Sequence, residues 1–128
     1  MALIAEGADA LDVQGCEIFE VARICDGDGL LEAVQLVFSD GRSLTLTVWT
    51  DWSLAIELRS DVVVPEYLWP PEERVRIVIA ELSDLSLEVG QAVPRFNDAA
   101  EIVEVRFVLS GRKLLVGSTG GNLIIKIE

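Results

Sequence analysis

The feature that most constrains this chain is a period-two alternation of apolar with small or polar residues, repeated in one run after another. Residues two apart share a face of a β-strand, so each such run is a strand that separates its side chains into two sets. Val34, Leu36 and Phe38 alternate with Ala33, Gln35 and Val37, and Leu44, Leu46 and Val48 alternate with Thr45, Thr47 and Trp49. Ser39-Asp40-Gly41-Arg42 lies between them as a turn, with Gly taking the positive φ that a tight hairpin requires. A second turn at Thr50-Asp51 leads into Trp52–Leu58, which completes a three-stranded meander.

The same grammar returns 69 or 70 positions later. Glu32–Phe38 corresponds to Glu101–Phe107, Gly41–Leu44 to Gly111–Leu114, and Leu54–Leu58 to Leu123–Ile127. One-residue slips at turns are what a diverged duplication leaves behind, although any two antiparallel meanders share alternation and glycine turns. The expected organisation is a single domain, 1–128, holding two β-meander units at about 16–60 and 72–128. The expected fold is mostly β, with antiparallel meanders in two related halves forming a sandwich or a strongly curved sheet and at most short helices. An α+β arrangement with a helix on an antiparallel sheet is the alternative.

Around the meanders, Glu17–Cys25 reads as a strand that turns through Asp26-Gly27-Asp28-Gly29, and Arg74–Ala80 reads as a β-branched strand. Ser83-Asp84 is expected to turn into a strand from Leu85 to Val89 that ends at Gly90. Pro65–Glu73 and Gln91–Ala100 read as irregular, on their prolines and Asn97-Asp98. Residues 1–14 are expected to be a short helix or a loose leader.

With 51% hydrophobic residues, this is not the composition of a disordered chain. At 128 residues, about two-thirds of the extended chain's surface can be buried, enough for a core without disulfides. The apolar runs are short, so no segment reaches the ~20 residues of a membrane span. The 22 acids outweigh 10 bases, for a net charge of −12. That field repels phosphate backbones and anionic membranes and attracts basic partners, or serves only solubility. Cys16 and Cys25, nine apart, are too distant for a disulfide along either a strand or a helix. Two unpaired thiols favour a reducing compartment. The first residues lack a basic segment and reach an acid at Glu6, so they do not read as a signal peptide. The expected location is a cytoplasm, bacterial by composition.

The chain has no histidine, which excludes Ser-His-Asp and Cys-His nucleophiles and His-ligated zinc. Asp26-Gly27-Asp28-Gly29 with Glu32 fails as a calcium loop, because Leu30, Leu31 and Val37 stand where ligand, Gly and Glu are required. Gly117–Gly121 lacks the Lys-Ser/Thr ending of a phosphate loop and precedes a strand, so it reads as a hairpin turn. No catalytic, cofactor-binding or metal-binding residue is assigned, and no enzyme activity is expected.

The candidate partner-binding residues are Trp49, Asp51, Trp52, Tyr67 and Trp69. Trp49 and Trp52 flank a turn and are expected to face one side as a cross-strand pair; Tyr67 and Trp69 sit in a proline-stiffened loop. The alternative for both clusters is that they cover the core. The second unit has Thr119 and Asn122 in place of the two tryptophans, an asymmetry that points toward function. The expected function is a non-catalytic acidic interaction module, in its sharpest form an immunity or antitoxin-like inhibitor of a basic protein partner, with a homodimer also open. The alternatives are a carrier holding an apolar small molecule among Trp49, Trp52 and Phe38, and a carboxylate-based enzyme.

Overall fold

A computed structural model describes residues 3–49, 52–63, 68, 73–83 and 87–128. Its strands are β1 (Leu3–Glu6), β2 (Ile18–Cys25), β3 (Leu31–Phe38), β4 (Ser43–Val48), β5 (Leu54–Arg59), β6 (Val75–Val78), β7 (Val89–Phe96), β8 (Ile102–Leu109), β9 (Arg112–Thr119) and β10 (Asn122–Ile127). One turn of α-helix, α1 (Ala80–Ser83), and a 3₁₀ turn at Gly7–Leu11 complete it. A six-stranded antiparallel sheet in the order β1-β5-β4-β3-β2-β6 faces a four-stranded one in the order β10-β9-β8-β7. The fold is therefore mostly β, in two antiparallel sheets with only short helical turns. Among the described residues no helix is long and apolar enough to cross a membrane.

Both sheets run as meanders, β2 to β5 and β7 to β10, with the same strand order. Their registers agree at one hairpin and differ at the other. Leu46 faces Ile56 as Val116 faces Ile125, whereas Leu44 faces Leu36 and Leu114 faces Phe107. The difference follows from the turns: Ser39–Gly41 is a three-residue loop, and Ser110-Gly111 is a two-residue one.

The outer edge of β2 joins the sheets. Its upper half, Ala22–Cys25, pairs with β6. The chain then bends into α1, where the Ile79 amide donates to the Val21 carbonyl and the Val21 amide donates to Ser83 Oγ (3.2 Å). Below that, the Ile18 amide donates to the Leu87 carbonyl and the Val89 amide to the Cys16 carbonyl, so β7 begins on the edge that β6 has left. The chain entering β2 is thus hydrogen-bonded to the segment that opens β7 as well as to β3. The main core lies between the layers, where Val34, Leu36, Phe38, Leu44, Leu46 and Ile56 meet Val105, Phe107, Leu109, Leu114 and Val116.

The opposite face of β3 and β4 is also covered. All residues from Ala33 to Phe38 and from Ser43 to Thr47 are buried, polar ones included. Gln35, 0% exposed, donates to the Val62 carbonyl and accepts from Arg76 Nε at 2.9 Å; Ser43 Oγ donates to the Asp61 carbonyl. Arg76 also pairs with Glu20, and Leu68 packs on Ile24 and Ala33. A buried amide left without partners costs about 1–3 kcal/mol, so these contacts are what permit Gln35 to sit there.

Three expectations are corrected. The short helix expected in residues 1–14 is a 3₁₀ turn at Gly7–Leu11, but a strand precedes it and the segment is no loose leader: β1 pairs with β5, and Ala10, Leu11 and Val13 are buried. Gln91–Phe96 is not irregular but part of β7, which runs on through Gly90. Pro94 is tolerated because β7 is an edge strand, so the missing amide interrupts no ladder. Of Gly117–Gly121 only Gly120-Gly121 form the turn; Gly117–Thr119 belong to β9. Of the expected Leu85–Val89 strand, 84–86 lie outside the described residues. Both thiols are free, and burial pushes the Cys25 thiol up.

Asp61, whose carbonyl anchors Ser43, is itself held by Arg59 at 3.0 Å, and that hydrogen bond keeps its carboxyl below the usual carboxylate range. A lowered folded-state pKa stabilises the fold above the unfolded pKa of about 3.9, and the contribution is lost as pH falls through the folded value. Asp61→Asn is therefore expected to lower the melting temperature at neutral pH, with the deficit narrowing below pH ~4. Thermal melts across that range check it; a deficit that stays constant to the lowest pH would contradict the ion pair's role.

Candidate functional site

Four hairpins share one turn geometry. In 26–30, 38–42, 49–53 and 97–101, the first residue's amide bonds to the fifth's carbonyl and the fourth's amide to the first's carbonyl. This three-residue loop places its fourth residue in the left-handed region, a glycine's place. Gly29 and Gly41 fill it in two hairpins, but Trp52 (φ 69°) and Ala100 (φ 61°) fill it in the others. Left-handed backbone costs a bulky residue roughly 1–2 kcal/mol. The Trp49–Ser53 closure also corrects the expected cross-strand indole pair, since Trp49 lies opposite Ser53 and Trp52 is the bulged residue.

The Trp52 ring lies on the β9–β10 turn: a Cβ added to Gly121 would fall 2.9 Å from its Nε1. This explains the asymmetry between the two meanders differently from the sequence expectation. The second meander's turn is small because the first meander's tryptophan packs on it. The indole is nevertheless 60% exposed.

Beside this contact, at the end where β3 starts, β4 finishes and β10 begins, lies a cleft of about 380 Å³. Leu31, Val48, Leu68 and Leu123 supply apolar lining, with Glu32, Thr47 and Asn122 as the polar groups. Leu30 and Trp49 stand at its rim, 60% and 53% exposed. Glu32 pairs with Arg74 at 3.0 Å and borders an adjoining hollow that also holds Asp26, Asp28 and Glu73. The cleft's shoulder therefore carries four carboxylates against one guanidinium. Asp26 spends one oxygen on its own turn, accepting from the amides of Asp28 and Leu30 at 2.8 and 2.9 Å. Among the described residues no three His, Cys, Asp or Glu side chains group to hold a metal ion.

Of the candidate residues, Trp49 and Trp52 come together at this end, while Asp51, Tyr67 and Trp69 lie outside the described residues. Phe38 does not join them. It is 2% exposed in the core at the far end of β3, with the Arg42 guanidinium over its ring at 6.0 Å. Leu30, Glu32 and Asn122 were missed. Leu30 carried a local signal as an apolar residue directly after a glycine turn, and Glu32 stood with Asp26 and Asp28 in the rejected calcium loop. Comparisons with protein-family models, curated proteins and solved structures give no match, so the geometry alone carries the functional argument.

Because the indole lies against the glycine, Gly121→Ala is expected to destabilise the protein more in the wild type than in Trp52→Gly, with a coupling of about 1 kcal/mol. Denaturant melts of the four species measure it. Equal losses in both backgrounds would show that only the left-handed φ of Gly121 matters.

Proposed function

We propose that this chain is a non-catalytic protein-interaction module whose cleft takes an apolar side chain of a basic partner, in the manner of an immunity or antitoxin-like inhibitor. One observation carries this: Leu30 and Trp49, both more than half exposed, stand at the rim of a preformed apolar cleft with an acidic shoulder, and the equally exposed Trp52 packs beside it on Gly121. Large apolar groups at a rim bury much area on association and lose little conformational freedom, which is why tryptophan recurs among interface anchors. Carboxylates beside such anchors select cationic partners and speed encounter. The strained backbone of Trp52 supports the same reading, because a residue held at a conformational cost is one whose side chain is needed where that backbone places it.

A second reading rests on the cleft's concavity. Its volume falls within the roughly 300–1,000 Å³ of small-molecule sites, and an apolar ligand would suit its lining. The rim favours the first reading, since a carrier encloses most of its ligand whereas here the largest apolar groups face solvent.

Affinity capture from the native cell, followed by kinetics with the purified captured protein, distinguishes the two. The expected partner is basic, associates several-fold more slowly when salt is raised, and binds Trp49→Ala about 30-fold more weakly, the equivalent of ~2 kcal/mol, while the variant's melt stays near wild type. An acidic partner with salt-independent association would overturn the reading. Stoichiometric binding of an apolar fluorescent probe, lost in Trp49→Ala and unaccompanied by protein capture, would establish the carrier instead.

A further inference from the structure

The net charge is unevenly divided along the chain. Residues 1–86 hold 17 acids and 5 bases, and residues 87–128 hold 5 of each, so the whole −12 belongs to the first 86. Within the neutral remainder, strand register sorts the signs. Side chains directly opposite one another in antiparallel strands share a face. Val105, Phe107, Leu114 and Val116 face the core, so the residues alternating with them face outward. One outward row reads Val93, Arg106, Leu115, Lys126 across β7 to β10; its neighbours read Gln91, Val108, Lys113, Glu128 and Arg95, Glu104, Gly117, Ile124.

Four of the ten basic residues thus stand on one sheet face with two carboxylates among them, Glu104 and, at the margin, Glu128. Glu104 is paired with Arg95 at 3.2 Å, and Glu128 closes the row beyond Lys113. No acid pairs with Arg106, Lys113 or Lys126 among the described residues. Arg95, Arg106 and Lys113 form a diagonal across three strands with α-carbons about 8 Å apart, from strand spacings of ~4.8 Å and two-residue rises of ~6.7 Å. The face is hollowed along that diagonal, a groove of about 450 Å³ where Val93, Pro94 and Val108 lie between the cations.

We propose that this face binds an extended acidic segment of a partner protein, with apolar residues interspersed between its carboxylates. Alternate side chains of an extended segment recur every ~6.7 Å, close to the spacing of the cations, and the valines between them match apolar residues of the segment. A single-stranded nucleic acid fits less well. None of the outward rows offers an aromatic platform for a base, and Glu104 stands among the cations where a phosphate would lie. A second copy meeting this face with its own would oppose like charges, and one meeting it with its acidic half would make a head-to-tail contact that assembles copies into a ring or filament. The groove is separate from the tryptophan cleft and shares no lining residue with it.

The test is fluorescence anisotropy of a labelled peptide of alternating Glu and Val, titrated with wild-type protein, with R106E/K113E and with Trp49→Ala. A thymidine oligonucleotide of matched charge is the comparison probe. Binding to the wild type is expected to weaken with added salt, to fall by about tenfold or more in the charge-reversed variant, and to persist in Trp49→Ala. R106A/K113A is expected to give a smaller loss in the same direction, and melts of both double variants establish that they are folded. Lack of saturable binding at low salt, undiminished binding to the folded charge-reversed protein, or oligonucleotide binding as tight as the peptide's would each overturn the proposal.

Discussion

The architecture depends on how the outer edge of β2 is filled. An exposed strand edge offers unpaired amides and carbonyls to whatever arrives, and burying such an edge unpaired costs more than most side-chain contacts return. β2 meets that constraint in sequence, first with β6, then with Ile79 and the Ser83 hydroxyl, and finally with Leu87–Val89. Because the last of these partners opens β7, the second meander is launched from the first sheet at a fixed place. Ser83 is well suited to the crossing point. Its hydroxyl donates to the Ile79 carbonyl at 2.7 Å while accepting from the Val21 amide, so that amide is paired where β6 gives way to the next partner.

Once the second sheet is launched there, its contacts follow. β10 lies across β3 and β4, which brings the Gly120-Gly121 turn under Trp52 and opens the cleft at that end. On the far side, the outward face of the four-stranded sheet collects four cations, while 17 of the 22 acids lie in the first 86 residues. The two proposed surfaces thus arise from one packing arrangement and present opposite charge.

The meanders were legible because burial of one sheet face imprints period two on the sequence, as in Val34, Leu36 and Phe38. The cover over the other face was not, because Gln35, Ser43 and Thr45 look the same in sequence whether water or the Asp61–Val62 backbone lies above them. Pro94 argued for a loop by its chemistry, yet on an edge strand that chemistry is harmless. Trp52 was legible in part. Ser39-Asp40-Gly41 and Thr50-Asp51-Trp52 share a pattern, and aligning them places Trp52 in a glycine's position. The cationic face was present in the alternation as well, since Arg106 and Lys113 adjoin the core residues Phe107 and Leu114. It stayed hidden because charge was read as a total and not by face.

Native-state hydrogen exchange at the amides of Ile18 and Val89 tests the joining of the two sheets most directly. If β2 holds both layers, these two amides exchange only through global unfolding, with the same free energy as the Leu36 and Phe107 amides at the centre of each sheet. Exchange of Ile18 and Val89 at markedly lower free energy, with the sheet formed by residues 89–127 opening as a separate unit, would contradict the account.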